Sequence, residues 1–157
     1  MDSKKENNFH ELLVKAERFC AYQERSSYEV RQKMKEFDAT ETEIEKVIAS
    51  IQEDDFQDDE RFARLFTSGK FRIKRWGKNK IKSELRMKKI SDPLIKKALD
   101  SIDESEYKKT ILHLIQKKEK EVKSQEPRAK SQKIAMYLLS KGFESDLIWK
   151  NLKEVSK

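Results

Sequence analysis

Apolar residues recur at helical spacing along most of this chain, and the spacing repeats. Val30, Met34, Ala39, Ile44, Ile48 and Ile51 follow steps of 4, 5, 5, 4 and 3. Ile81, Leu85, Ile90, Ile95, Leu99 and Ile102 follow the same steps, as do Ile134, Leu138, Phe143, Ile148, Leu152 and Val155. The sets are offset by 51 and 53 residues. Steps of 3 and 4 are what any amphipathic helix produces. The shared middle steps of 5 require a shared connection, so the pattern predicts three copies of a helix–turn–helix unit.

The punctuation fits the pattern. Thr40 and Glu43 have capping-box spacing. Ser91-Asp92-Pro93 supplies a cap and an early proline for the second copy. Gly142 stands where a left-handed helix end is expected, and Ser145-Asp146 can cap the helix after it. Asp38, Lys89 and Gly142 occupy equivalent positions.

Each copy also has a leading helix. The first carries Ala16, Phe19 and Cys20, and ends at a turn at Ser26-Ser27. The third runs from about Glu104 toward Lys123, with Ile111, Leu114, Ile115 and Lys118 on one face, and Gln125 to Arg128 with Pro127 break it. The second begins near Asp58-Asp59-Glu60, whose acids suit the positive end of a helix dipole. Phe62, Phe66, Gly69, Ile73 and Trp76 read as its single apolar stripe, ended by Gly77. The prediction is an all-α chain of three tandem three-helix repeats, elongated and curved, over residues 14–53, 54–103 and 104–157. Residues 1–13 read as an N-terminal tail whose first eight residues are disordered.

Composition adds a charge map. Charged residues are 41% of the chain, where about a quarter is usual. The net charge of +7 resolves into −6 over residues 1–67, +9 over 68–89 and +4 over 90–157. One stretch of 22 residues thus exceeds the whole excess, and such a field favours a polyanion or an acidic protein face. On a helix of about 100° per residue, Phe71 points away from the Phe62–Trp76 stripe, on the side of Arg64, Lys74 and Arg75. An exposed Phe there would stack on a base or plug a partner's pocket. The alternative is a kink at Gly69 that turns Phe71 inward. Asn79, Lys82 and Arg86 lie opposite Ile81 and Leu85 on the next helix, extending the basic surface. With Lys70, Arg72 and Lys78 they complete the candidate binding set; Trp76 reads as a packing residue at the corner.

Catalytic material is scarce. His10 and His113 are the only histidines, and neither has a partner at useful spacing for a triad or a zinc site. Cys20, the only cysteine, reads as core and excludes a disulfide framework. Asp54-Asp55 and Asp58-Asp59 could hold Mg²⁺, but capping explains them more simply. The expectation is no enzyme, no cofactor and no metal. Apolar runs too short to span a bilayer, and no apolar core in Met1 to His10, point to a cytoplasmic protein without a secretory signal.

The segment from Phe56 to Ile90 resembles the signature of the RecX regulatory protein family. An acidic pair precedes Glu60-Arg61-Phe62-Ala63-Arg64; a basic helix, Trp76-Gly77, Lys80-Ile81 and Glu84-Leu85-Arg86 follow. Ala16-Glu17-Arg18 in the first unit, and Leu139 to Ile148 in the third, extend the resemblance over about residues 14–155. Two departures are Lys89, where a glycine is often found, and Asp38 at its counterpart. Because Asp tolerates left-handed geometry better than Lys, the Lys89 turn is expected to differ in shape. The resemblance implies a monomeric modulator of RecA recombinase in DNA repair and recombination. It would bind in the groove of the RecA–single-stranded-DNA filament, inhibit ATP hydrolysis and strand exchange, and limit filament growth or promote disassembly. The alternatives left open are a free-standing nucleic-acid-binding module, touching single- or double-stranded DNA through the basic patch, and a helical adaptor for another acidic protein.

Overall fold

Five helix starts in this chain are set by oxygen-bearing side chains in extended geometry. Ser26 and Thr40 each close a full capping box, with Glu29 and Glu43. Asp58, Asp103 and Glu126 accept from backbone N–H groups of the first turn that follows them. The computed structural model describes residues 2–123 and 126–156. Among these residues there are nine helices and no strands: α1 (Asp2–Tyr22), α2 (Ser27–Glu36), α3 (Glu41–Glu53), α4 (Asp59–Arg72), α5 (Lys78–Met87), α6 (Asp92–Asp100), α7 (Glu104–Glu121), α8 (Pro127–Ser140) and α9 (Ser145–Val155). They group as three three-helix units in chain order. None of them is long and apolar enough to cross a membrane.

The repeated step of five residues has a physical origin. In each unit the second helix ends with a residue at positive φ: Asp38 at 58°, Lys89 at 59° and Gly142 at 97°. The N–H after it reaches back to a carbonyl five residues earlier: Ala39 to Met34 (3.2 Å), Ile90 to Leu85 (3.1 Å) and Phe143 to Leu138 (3.1 Å). This is a Schellman helix end, whose bond is accompanied by an apolar contact between the same two residues. Lys89 therefore makes the same turn as Asp38, and the expected difference in shape is absent. Of the eighteen repeat positions only Ala39, Leu99 and Val155 escape full burial.

Other helix ends depart from expectation. Ser91 is the N-cap of α6 but makes no side-chain bond. Glu144, rather than Ser145, is the N-cap of α9. The break expected from Gln125 to Arg128 falls partly outside the described residues, Gln125 among them; α8 begins at Pro127. The segment read as a tail is helical from Asp2, and Leu12 is buried with Ala16 and Cys20. Burial pushes the Cys20 thiol up to about 11.

Two cores result. The first unit packs Leu12, Ala16, Cys20, Val30, Met34, Ile44, Val47, Ile48 and Ile51. The second and third units share one continuous core running from Phe62 to Leu152. The first junction is polar. Asp59 accepts from the Ser27 N–H (2.8 Å) and hydroxyl (2.9 Å), and the buried Gln57 amide donates to Asp59 and to the Arg25 carbonyl. Arg61 pairs with Glu24 at 2.8 Å. Asp58 and Asp59 are thus occupied by capping and by joining units.

The second junction corrects the placement of Phe71. It does point away from the Phe62 side of α4, yet the next unit lies there. Its ring is buried, 5.8 Å from that of Tyr107, which is 5.3 Å from that of Phe143. α4 runs unbroken through Gly69 and ends at Arg72, and Arg75 then turns left-handed (φ 55°). Ile73 and Trp76 therefore do not continue the stripe. Ile73 is 80% exposed, and Trp76 packs edge-on against Phe66 at 6.5 Å.

Phe71→Ala should consequently cost about 3–5 kcal/mol, as much as Phe62→Ala. Denaturant titration of both variants checks this; a loss under about 1 kcal/mol for Phe71→Ala would contradict its burial.

Candidate partner-binding surface

The basic stretch is held in place by an unusual helix start. The N-cap of α5 is Gly77, which has no side chain to offer. The first amides of a helix have no partner inside it, and here three in succession find acceptors in the third unit. Gly77 N–H donates to the Lys141 carbonyl (2.8 Å), Lys78 N–H to the Tyr107 hydroxyl (3.0 Å) and Asn79 N–H to the Gly142 carbonyl (2.9 Å). The Tyr107 hydroxyl in turn donates to the Glu144 carboxylate. Burial, then this bond, drives the Tyr107 pKa well above the usual phenol range.

The approach is backbone against backbone, and glycine is needed on both sides. A Cβ on Gly77 would overlap the Gly142 carbonyl group, and a Cβ on Gly142, already at positive φ, would overlap the Lys80 backbone. At the polar junction the corresponding positions are Ser26 and Lys89, and the Asp59 carboxylate serves the first amide of α2 instead.

The connection between α4 and α5 is fixed at several points, from within its own unit and from the third. Ile73 N–H donates to the Gly69 carbonyl (2.9 Å) and Trp76 N–H to that of Lys70 (3.1 Å). Lys141 Nζ donates to the Lys74 carbonyl at 2.8 Å. Burial lowers the Lys141 pKa, and the neighbouring cations Lys80, Arg75, Lys117 and Lys74 lower it further. Lys70 and Lys80 flank Trp76, with their ammonium groups 4.9 and 4.5 Å from its ring centroid. Among the described residues, only Arg86 (Asp92, 3.3 Å) and Lys88 (Glu29, 3.5 Å) of the cations at 68–89 form ion pairs.

The structure divides the ten expected contact residues. Lys70 and Lys80 flank Trp76, and Lys74 and Arg75 lie near Lys141 together with Lys80. Asn79, Lys82 and Arg86 share a shallow face of α5 with Met87 and Lys89. Lys78 borders the groove between α5 and α6 with Lys82 and Arg86. Arg64 and Arg72 lie apart, in a groove also lined by Asp103 and Glu106. Phe71 is removed from the exposed set by its burial. Sequence reasoning missed Lys80, Lys141 and Ile73. Lys141 comes from the third unit, and no local pattern announces that contact.

A family model described as the second three-helix domain of RecX matches residues 58–99; those for the third and first domains match 104–152 and 13–50. A protein named regulatory protein RecX from Clostridium tetani is 36% identical over 71% of this chain, and its counterpart from Haemophilus influenzae (strain PittGG) is 32% identical over 80% of this chain and 82% of its own length. The chain spans 50% and 59% of the lengths of the relatives from Clostridium tetani and Clostridium botulinum. The crystal structure of RecX from Lactobacillus salivarius superimposes with a TM-score of 0.88 at 25% identity, over 96% of this chain and 97% of that one.

Gly142→Ala is expected to cost at least about 2 kcal/mol, from its positive φ and the overlap with α5. Tyr107→Phe should cost about 1–3 kcal/mol, because it strands the Lys78 amide. Lys89→Gly, which relaxes a strained turn, should change stability by no more than about 1 kcal/mol. Denaturant titrations of the three variants check the order.

Proposed function

Since the chain belongs to the RecX family, we propose that it is a regulator of RecA recombinase. It binds RecA filaments on single-stranded DNA, in the filament groove, as a monomer and without a cofactor. It inhibits ATP hydrolysis and strand exchange by limiting filament growth or promoting disassembly, and so regulates DNA repair and recombination in the cytoplasm. The observation that carries this reading is the cation cluster of Lys74, Arg75, Lys80 and Lys141, held by the junction of the second and third units and bearing the family signature. Clustered like charges repel one another, and an acidic protein surface or a phosphate backbone relieves that repulsion. A filament is a periodic array, which suits a chain of tandem units.

The test is a titration of the DNA-dependent ATPase of RecA. The protein should slow it at or below stoichiometric amounts, and an unchanged rate at saturating protein contradicts the reading. Reversing charge at Lys74, Arg75, Lys82 and Arg86 should raise the half-inhibiting concentration about tenfold or more, mostly through the association rate and most strongly at low salt. Unchanged inhibition by that variant would place the interface elsewhere. The cations flanking Trp76 favour a second reading, a module that binds nucleic acid by itself. It predicts tight binding to naked DNA, with log K falling steeply against log salt.

A further inference from the structure

Ile73 is the most exposed aliphatic side chain among the described residues, at 80% against 70% for Met136 and 66% for Met87. Single exposed apolar side chains are ordinary. This one differs in what surrounds and holds it. Arg72, Lys74 and Arg75, its sequence neighbours, are all exposed. The segment is pinned on both sides: the Ile73 N–H is bonded to Gly69, the Lys74 carbonyl to Lys141 Nζ, and the Gly77 N–H to the Lys141 carbonyl. Arg75 adopts φ 55°, a conformation long L side chains rarely take, and it does so within three residues of the apolar tip.

We propose that Ile73 is the anchor of the partner interface, inserting into a shallow apolar pocket rimmed by carboxylates on a folded protein. This deepens the RecA-filament reading and rests on it. A pinned loop gives up little conformational freedom on binding. One buried anchor ringed by polar contacts is the usual anatomy of a protein interface. Lys74 and Arg75 set the sign of the rim, since desolvating them requires opposite charge. Nucleic acid matches the cations but not the anchor. Its backbone offers no pocket for an aliphatic side chain, and single strands are gripped by stacking on aromatic rings. A wedge between duplex base steps is the one nucleic-acid use of such a residue.

The experiment compares the full chain with Ile73→Ser and Ile73→Leu. It reads inhibition of the ATPase of RecA on single-stranded DNA, binding to naked single- and double-stranded DNA, and the thermal melt. Ile73→Ser is expected to raise the half-inhibiting concentration about tenfold or more, with the melt and both DNA affinities unchanged. Ile73→Leu should stay within about threefold of the wild type, because it keeps apolar volume. If the wild type inhibits and Ile73→Ser inhibits equally well, the anchor is wrong while the RecA reading stands. A parallel loss of duplex-DNA affinity by Ile73→Ser would replace the protein pocket with a base-step wedge and overturn the proposal. No inhibition by the wild type would overturn both readings.

Discussion

Everything built on the middle of this molecule depends on how the first turn of α5 satisfies its amides. An N-cap glycine leaves those groups without a local acceptor, and the third unit supplies all three through the Lys141 and Gly142 carbonyls and the Tyr107 hydroxyl. The same logic recurs with other chemistry. At the first junction the Asp59 carboxylate of the second unit takes the first amide of α2. In the last unit no further repeat follows among the described residues, and Glu126 caps α8 with its own side chain. α2 and α5 thus each give first-turn amides to the next unit, α2 in addition to its own Ser26 capping box. That nearest-neighbour dependence is what makes tandem repeats cooperative.

The two junctions differ in kind. The polar one consists of carboxylate, amide and guanidinium contacts that water can replace. The glycine-paired one adds a run of aromatic rings, Phe71, Tyr107 and Phe143, inside a shared core. The cationic stretch sits beside the glycine-paired junction. Lys74, Arg75, Lys80 and Lys141 repel one another, and the bonds of this junction form the scaffold that carries them. The second and third units form that scaffold together.

Much of this was legible in the sequence. The three-copy register, the family signature and the capping box at Thr40 were all readable. The repeated step of five is the Schellman turn written in apolar residues. The helical start of the chain was also readable, since Phe9, Leu12, Leu13 and Ala16 continue the stripe of Phe19 and Cys20; reading charged residues 1–13 as a tail overrode it. Phe71 failed for a different reason. Its angular position was right, but a helix wheel does not say whether water or another unit lies on the far side. Trp76 packs at the corner as read, but Ile73 was misplaced because the helix was extended past Arg72, with no proline or glycine at that point to mark the end. Lys141 and Gly142 reach α5 from more than sixty residues away, so only tertiary structure reveals that Gly77 and Gly142 are a pair.

Native-state amide hydrogen exchange at Gly77, Lys78 and Asn79 tests this account most directly. Amides in the first turn of a helix normally exchange rapidly, because they bond only to water. The structure predicts that these three exchange as slowly as the buried amides of α7, and that Tyr107→Phe selectively speeds Lys78. Rapid exchange at all three in the wild-type protein, beside a protected α7, would mean that the second and third units are not joined through α5.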